Sequence, residues 1–367
     1  MSNNNNTSSN ISVKLELESA HYNANDKQNL KFTLSNNSNQ TLSVLKWGTP
    51  LEGIHDNLFS VRKQEQSSLY MGIIVKRGLP KPKDFIMLDP KSSISTNFNL
   101  DDVYDITDAG DYTVEFVSHI LDVGEQEPIT LAAKLSETGM VSSKPVSSNP
   151  VRFKLLEDRR PRLAKQGPHR GLVELEFSKQ LEVAMVPAFS HCSNSQQNQI
   201  DNALTEAEKY ANKSQQVLSS TLQSNRPQSR RYKEWFGVYL ASRYDKLATH
   251  FDKIADAITN KKITFDCSCN APDVDPDTTY AYVNPVQPYV IHLCNVFWQT
   301  SLTGTDSKAG TIIHELSHFY VVAGTTDTGN IYGQAGCRQL AINYPEKAIL
   351  HADSHEYFAE NNPTLTM

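Results

Sequence analysis

In the segment GTIIHELSHFYVVAGTTD, residues 310–327, two histidines stand four residues apart with a glutamate directly after the first. On a helix, residues four apart share a face, so His314 and His318 can aim two imidazole nitrogens at one cation. Glu315 falls about 100° round from His314, beside such a cation rather than on it, where it can take a proton from a bound water. A catalytic zinc takes three protein ligands and keeps a fourth position open. Gly324 can end the helix and turn the chain back, which brings Asp327 toward the same cation. The implied chemistry is water activation: zinc lowers the pKa of its water toward roughly 7 and polarises a carbonyl, and Glu315 acts as general base. The competing reading is a pair of packed or solvated histidines. The carboxylate beyond the glycine turn favours the metal site.

These residues need a rigid support. Ile312, Ile313, Leu316, Phe319 and Val322 give the motif helix a packing face, and Asp306 or Ser307 suits its N-cap. Upstream, Ile200, Ala203, Leu204, Ala207, Tyr210 and Ala211 recur at helical spacing. The stretch RRYKEWFGVYLASRYDKLATHFDKIADAI predicts a further helical pattern with Trp235, Val238, Tyr239, Leu240, Tyr244, Leu247 and Phe251 in the core. KITFDCSC, TYAYVNP and YVIHLC read as short strands, and residues 345–360 as a last helix. TYAYV is expected near the cleft, where a peptide substrate can extend it by main-chain pairing. From residue 11 to 156 the period is two, as in ISVKLELES, LKFTLSN and DYTVEFVS, with polar turns between. That pattern predicts an antiparallel, immunoglobulin-like β-sandwich. LDDVYDITDAGD reads as a solvated turn rather than a calcium loop.

The 367 residues suit two domains. The net charge is −6 and basic residues form no stripe, so no nucleic-acid partner is expected. No run of about 18 apolar residues is present, so no membrane span is expected. The opening MSNNNNTSSN is polar, reads as a disordered tail and lacks the apolar core of a signal peptide; an export signal removed or replaced by an initiator Met is the expectation. All five cysteines, at 192, 267, 269, 294 and 337, lie in the second half, which points to a disulfide-tied domain in an oxidising compartment. Cys267 and Cys269 are too close to bridge comfortably with each other. EDRRPRLAKQGPHRG, residues 157–171, is basic and reads as a linker and protease-sensitive site.

His314-Glu315-x-x-His318 followed by Gly324-Thr325-Thr326-Asp327 resembles the aspzincin, or deuterolysin, metallopeptidases. TGTDSKAGTIIHELSHF, YGQAGC, HADSHEYFAENNP, WFGVYLASRY, TFDCSCN and YAYVNP resemble the peptidyl-Lys metalloendopeptidase branch in particular, from about residue 190 to the end of the sequence. The resemblance implies an α+β zincin-type catalytic domain, mostly helical with a small sheet. It implies one Zn2+ per chain on His314, His318 and Asp327, with Glu315 as base. It matches the family's oxyanion-stabilising tyrosine to Tyr332, although TGNIYGQ places that residue about two positions further from the aspartate. It assigns Asp353 and Glu356 to the pocket after the scissile bond. Two carboxylates three apart on one helix face repel unless a cation lies between them, and a substrate lysine ammonium is such a cation. It pairs Cys192 with Cys267 and Cys269 with Cys294, leaving Cys337 a buried free thiol. His351 and His355 read as packing or supporting groups.

The expected organisation is therefore a tail over residues 1–10, a β-sandwich pro-domain over 11–156, a linker and activation segment over 157–188, and a catalytic domain over 189–367. The expected function is that of a secreted, monomeric zymogen of a zinc endopeptidase that cuts peptides and proteins on the amino side of Lys. Its own pro-domain acts as an intramolecular inhibitor, by filling the acidic pocket with a Lys or Arg side chain or by blocking the cleft with a loop. Lys154, Lys165 and Lys179 are candidate self-cleavage positions. The alternatives are a broad-specificity deuterolysin-type protease, or a binding or adhesion protein whose zinc is structural.

Overall fold

A computed structural model describes residues 10–121, 128, 143–159, 186–327, 331 and 333–367. Tyr332, Lys165, Lys179 and the central part of the expected linker lie outside the described residues.

The first half is β-rich. Alternation in ISVKLEL buries Ile11, Val13 and Leu15 along β1 (Ile11–Leu17), which pairs antiparallel with β3 (Asn29–Asn36). β3 also pairs with β9 (Ser93–Asn99), completing a three-stranded sheet. A larger sheet runs in the order β2 (His21–Tyr22), β12 (Val151–Leu155), β10 (Gly110–Leu121), β5 (Phe59–Lys63) and β6 (Gln66–Ser67), with β11 (Ser143–Ser147) also on β10. Side chains of the two sheets meet in one core: the rings of Phe32 and Phe116, and of Phe59 and Phe98, lie 5.0 Å apart. β4 (Leu42–Leu45) and β8 (Phe85–Leu88) form a separate pair. The acidic turn departs from expectation, because Asp101 is buried and bonds Arg159 at 3.1 Å. Lys154 sits in β12 between β10 and β2, so cleavage there requires a paired strand to open.

The second half is helical around a small sheet. The capping box of Ser193 and Gln196 starts α1 (Asn194–Ser220), whose Ile200, Ala203, Ala207 and Ala211 are buried. The next helical pattern is two helices, α2 (Arg230–Phe236) and α3 (Ala241–Asn260). Gly237 breaks it at φ +74°, with its Cα so close to the Ala341 carbonyl that a side chain would collide. The break turns Val238 and Leu240 outward, 77% and 45% exposed, so neither is a core residue. α4 (Asn295–Gln299) and the motif helix α5 (Lys308–His318) follow. The C-terminal helical region is α6 (Gly333–Asn343), α7 (Pro345–Ala348) and α8 (Ala352–Glu360), so the single helix expected over residues 345–360 is interrupted at 349–351.

The sheet of the second half has the order β13 (Ala188–Ser190), β14 (Thr264–Asp266), β16 (Val290–Leu293), β15 (Thr279–Val283) and, at its edge, β7 (Ile74–Arg77). The fifth strand comes from the first half. β7 runs antiparallel to β15, matching Lys76 with Ala281, Val75 with Tyr282 and Ile74 with Val283, with a bulge in β15 at Tyr280. Main-chain bonding continues through Gly78 N–H to Thr278 O, 2.7 Å. Tyr320 Oη donates to Tyr70 O (3.0 Å) and Asn284 Nδ2 to Met71 O (2.9 Å), fixing the approach to β7. Disulfides join Cys192 to Cys267 and Cys269 to Cys294, and Cys337 is a buried free thiol.

Candidate active site

α5 starts where Ser307 Oγ accepts from Gly310 N–H (2.9 Å). Glu360, on α8, accepts from Ser307 N–H (2.9 Å) and Oγ–H (2.7 Å), so α8 clamps the start of the motif helix. Gly310 allows this approach, since a side chain there would strike the carboxylates of Glu360 and Glu356. The helix is buried along its whole length and ends at His318, six residues before Gly324. The glycine, at φ +61°, instead closes the turn that follows, with its N–H on Phe319 O (3.1 Å). Thr326 then bonds Leu350 O and accepts from Ala352 N–H, which lays Asp327 beside the start of α8.

His314 Nδ1 faces Asp353 Oδ1 at 2.9 Å and Glu356 Oε2 at 3.2 Å. His318 Nδ1 faces Thr325 O at 3.0 Å, which makes that nitrogen the donor. Both rings thereby turn Nε2 inward. His314 Nε2, His318 Nε2 and both oxygens of Asp327 are buried without a hydrogen-bond partner. Asp327 Oδ1 lies 3.2 Å from the first nitrogen and 3.6 Å from the second. The three ligand atoms fall within 4.8 Å of one another. Buried, unpartnered lone pairs are costly unless something binds them. Two imidazoles and a carboxylate suit zinc. Burial opposes ionisation of Asp327, but His314 and His318 outweigh it and hold its carboxyl below the ordinary range. Glu315 is fully buried with both oxygens unpartnered; burial, opposed by His314, pushes its carboxyl up to about 8. Its ionised form is the available proton acceptor beside the triad.

Next to this triad, Asp353 and Glu356 project from α8. Between them stands Lys76: its Nζ is 3.2 Å from Asp353 Oδ1 and 2.5 Å from Glu356 Oε2, with all three side chains buried. The Tyr280 ring lies 5.1 Å from the same ammonium. Burial works against the charge of Lys76, yet Asp353 and Glu356 hold its pKa well above the ordinary lysine value. Burial likewise opposes the charge of Asp353, but Lys76 and His314 hold that carboxyl well below its usual range. Burial raises Asp306, near the pocket, to about 6 against the pull of Lys76, and Tyr357 Oη donates to it at 2.6 Å.

His314, Glu315, His318, Asp327, Asp353 and Glu356 thus come together in one buried site. His351 and His355 stay behind it: His355 meets His250 at 2.9 Å and donates to His351 O at 2.9 Å. Two features escaped sequence reasoning. One is the contact of Asp353 with His314, which joins the acidic pocket to the triad. The other is Lys76, whose signal was a lysine inside the apolar, β-branched run GIIVKRG: a buried strand carrying a charge needs an acidic partner.

Inward-facing imidazoles, one carboxylate as the third ligand, a buried glutamate and a sheet edge beside them describe a metal-dependent endopeptidase. The aspzincin M35 family model, described as lysine-specific metallo-endopeptidase, matches residues 221–360. An extracellular protease of Aeromonas hydrophila is 37% identical over 341 residues, 92% of this chain and 89% of that protein. Peptidyl-Lys metalloendopeptidases of Armillaria mellea and Pleurotus ostreatus are 32% identical over 345 residues (91% of this chain, 87% of that protein) and 44% identical over 177 residues (48% and 98%). A solved zinc peptidase from Grifola frondosa, 38% identical, covers 48% of this chain and 100% of its own at a TM-score of 0.43. The chain belongs to the aspzincin family and is a zinc metalloendopeptidase.

Proposed function

We propose that the chain is the latent form of a secreted endopeptidase that cuts on the amino side of lysine. The observation that carries this reading is the position of Lys76. A strand of the first half pairs with β15 as an extended substrate would, and its lysine fills the pocket formed by Asp353 and Glu356. The names of the relatives from Armillaria mellea and Pleurotus ostreatus support the lysine preference, and that of the Aeromonas hydrophila relative supports secretion.

In this reading His314, His318 and Asp327 hold one zinc ion, which supplies a Lewis acid for the peptide carbonyl and acidifies a bound water. Glu315 takes a proton from the attacking water and returns it to the departing amine. Asp353 and Glu356 hold the lysine ammonium after the scissile bond, and β15 holds the backbone. Residues 11–156 act as the pro-domain, residues 157–188 as the activation segment and residues 189–367 as the enzyme. By family resemblance Tyr332 stabilises the oxyanion.

Incubating purified zinc-loaded full-length chain tests the zymogen reading. Shortening with time, a new N-terminus between the halves and a matching rise in activity are expected. Full activity at full length with no shortening contradicts it.

A further inference from the structure

β7 shows more of the catalytic surface than the lysine pocket. Its register places Val75 opposite Tyr282, on the face of the sheet away from Lys76. Val75 is only 3% exposed and packs with Tyr282, Val274 and the Cys269–Cys294 disulfide, with Ala271 at the margin. Ile73, just before β7, also borders this cluster; every other partner belongs to the second half. Tyr282 is held flat by His292, whose ring stacks on it at 4.4 Å and 3°. The disulfide ties the loop bearing Ala271 and Val274 to the start of α4. The neighbour on the other side of the lysine differs: Arg77 is held by Glu52, His55 and Trp47 of the first half.

We propose that the catalytic half carries a second subsite, an apolar shelf of Tyr282, Val274, Ala271 and the Cys269–Cys294 disulfide, which takes the side chain of the residue immediately before the substrate lysine. The favoured substrate then has a valine-sized apolar residue directly preceding Lys. This rests on the reading of β7 as a stand-in for substrate. When the first half leaves, the shelf opens together with the lysine pocket, and an incoming strand of the same register covers both. Burying a valine side chain rather than glycine there is worth about ten-fold in kcat/KM.

The test uses zinc-loaded chain activated by cleavage between the halves, with both pieces retained. Three otherwise identical peptides are compared, carrying Val-Lys, Gly-Lys and Val-norleucine at the centre. Val-Lys cut about ten-fold faster than Gly-Lys, with the ratio falling to near one in Val274→Asp, supports the shelf. Equal rates for Val-Lys and Gly-Lys, with norleucine still refused, overturn the shelf and leave the lysine pocket standing. Norleucine cut as fast as lysine overturns the substrate reading of β7 and the shelf with it. If Val274→Asp does not fold, Val75→Asp keeps the question open to measurement, since it leaves the catalytic half unaltered. A rise in the activity of the uncleaved chain supports the shelf, and unchanged latency counts against it.

Discussion

Lys76 Nζ lies 2.5 Å from Glu356 Oε2, across 280 residues of sequence. Two buried carboxylates require a cation between them, and here the chain provides its own. The pocket therefore cannot accept a second lysine while β7 is seated. In the proposed reading, latency and specificity follow from this one geometry.

Removing the ammonium leaves Asp353 and Glu356 buried and uncompensated. Lys76→Ala should weaken seating of the first half by about 3–5 kcal/mol. The uncleaved variant should cut a lysine peptide about a hundred-fold faster than uncleaved wild type, with the covalent state checked by mass. Lys76→Arg, which keeps the charge, should stay closer to wild type. Wild-type latency in Lys76→Ala would remove the plug from the account.

Glu315 touches none of the three candidate zinc ligands through a hydrogen bond, and its oxygens are free for a water. Glu315→Gln should retain zinc and fold while turnover drops about 10²–10⁴-fold. Metal content and circular dichroism beside the rate separate this from His318→Ala, which should lose the metal.

Asp353 faces His314 Nδ1 at 2.9 Å as well as Lys76, so its replacement should reach the metal. Asp353→Asn should lower zinc affinity about 10–100-fold, the usual effect of losing a carboxylate that orients a histidine ligand. Glu356 Oε2 meets the same His314 Nδ1 at 3.2 Å, so Glu356→Gln should lower zinc affinity as well, by less than Asp353→Asn, and should relax the preference for lysine. Chelator competition and cleavage profiles distinguish the two; equal zinc affinity in both variants would contradict the division.

His55 anchors Arg77 beside the plug, its Nδ1 3.0 Å from Arg77 Nη2. Burial first, and then the charge of Arg77, push its pKa down to about 4. An unfolded histidine titrates near 6.5, so the folded chain favours the neutral ring. This contribution is fully present above pH ~6.5 and declines as pH falls toward 4, by up to about 3 kcal/mol. Unfolding of the first half should follow that slope, and His55→Gln should flatten it. The same slope in both proteins would assign the acid sensitivity elsewhere.

The motif helix and its neighbours were legible because a helix turns i and i+4 to one side and buried helices repeat their apolar residues. Period two was equally plain in β1 and β3. Three features resisted for physical reasons. The break at Gly237 depends on the Ala341 carbonyl, which arrives from over 100 residues away, so the periodicity ran straight through Val238 and Leu240. α5 ends at His318 in a turn where the N–H groups of Val322, Ala323 and Gly324 converge on Phe319 O, and the chain beyond it is held by a tertiary bond from Thr326 N–H to Leu350 O. β7 is short, and its lysine makes sense only beside α8. A Lys or Arg of the first half in the acidic pocket was one expectation; that Lys76 is the residue lying there is a tertiary fact.

In the proposed reading, Asp353 and Glu356 of a zinc peptidase choose lysine. Digesting a complex peptide mixture with the activated chain, with and without a chelator, and reading the residues on both sides of every cut tests it most directly. Lysine strongly enriched just after the cut, with cleavage abolished by the chelator, is the predicted result. A flat profile after the cut, or cleavage that persists without metal, contradicts it.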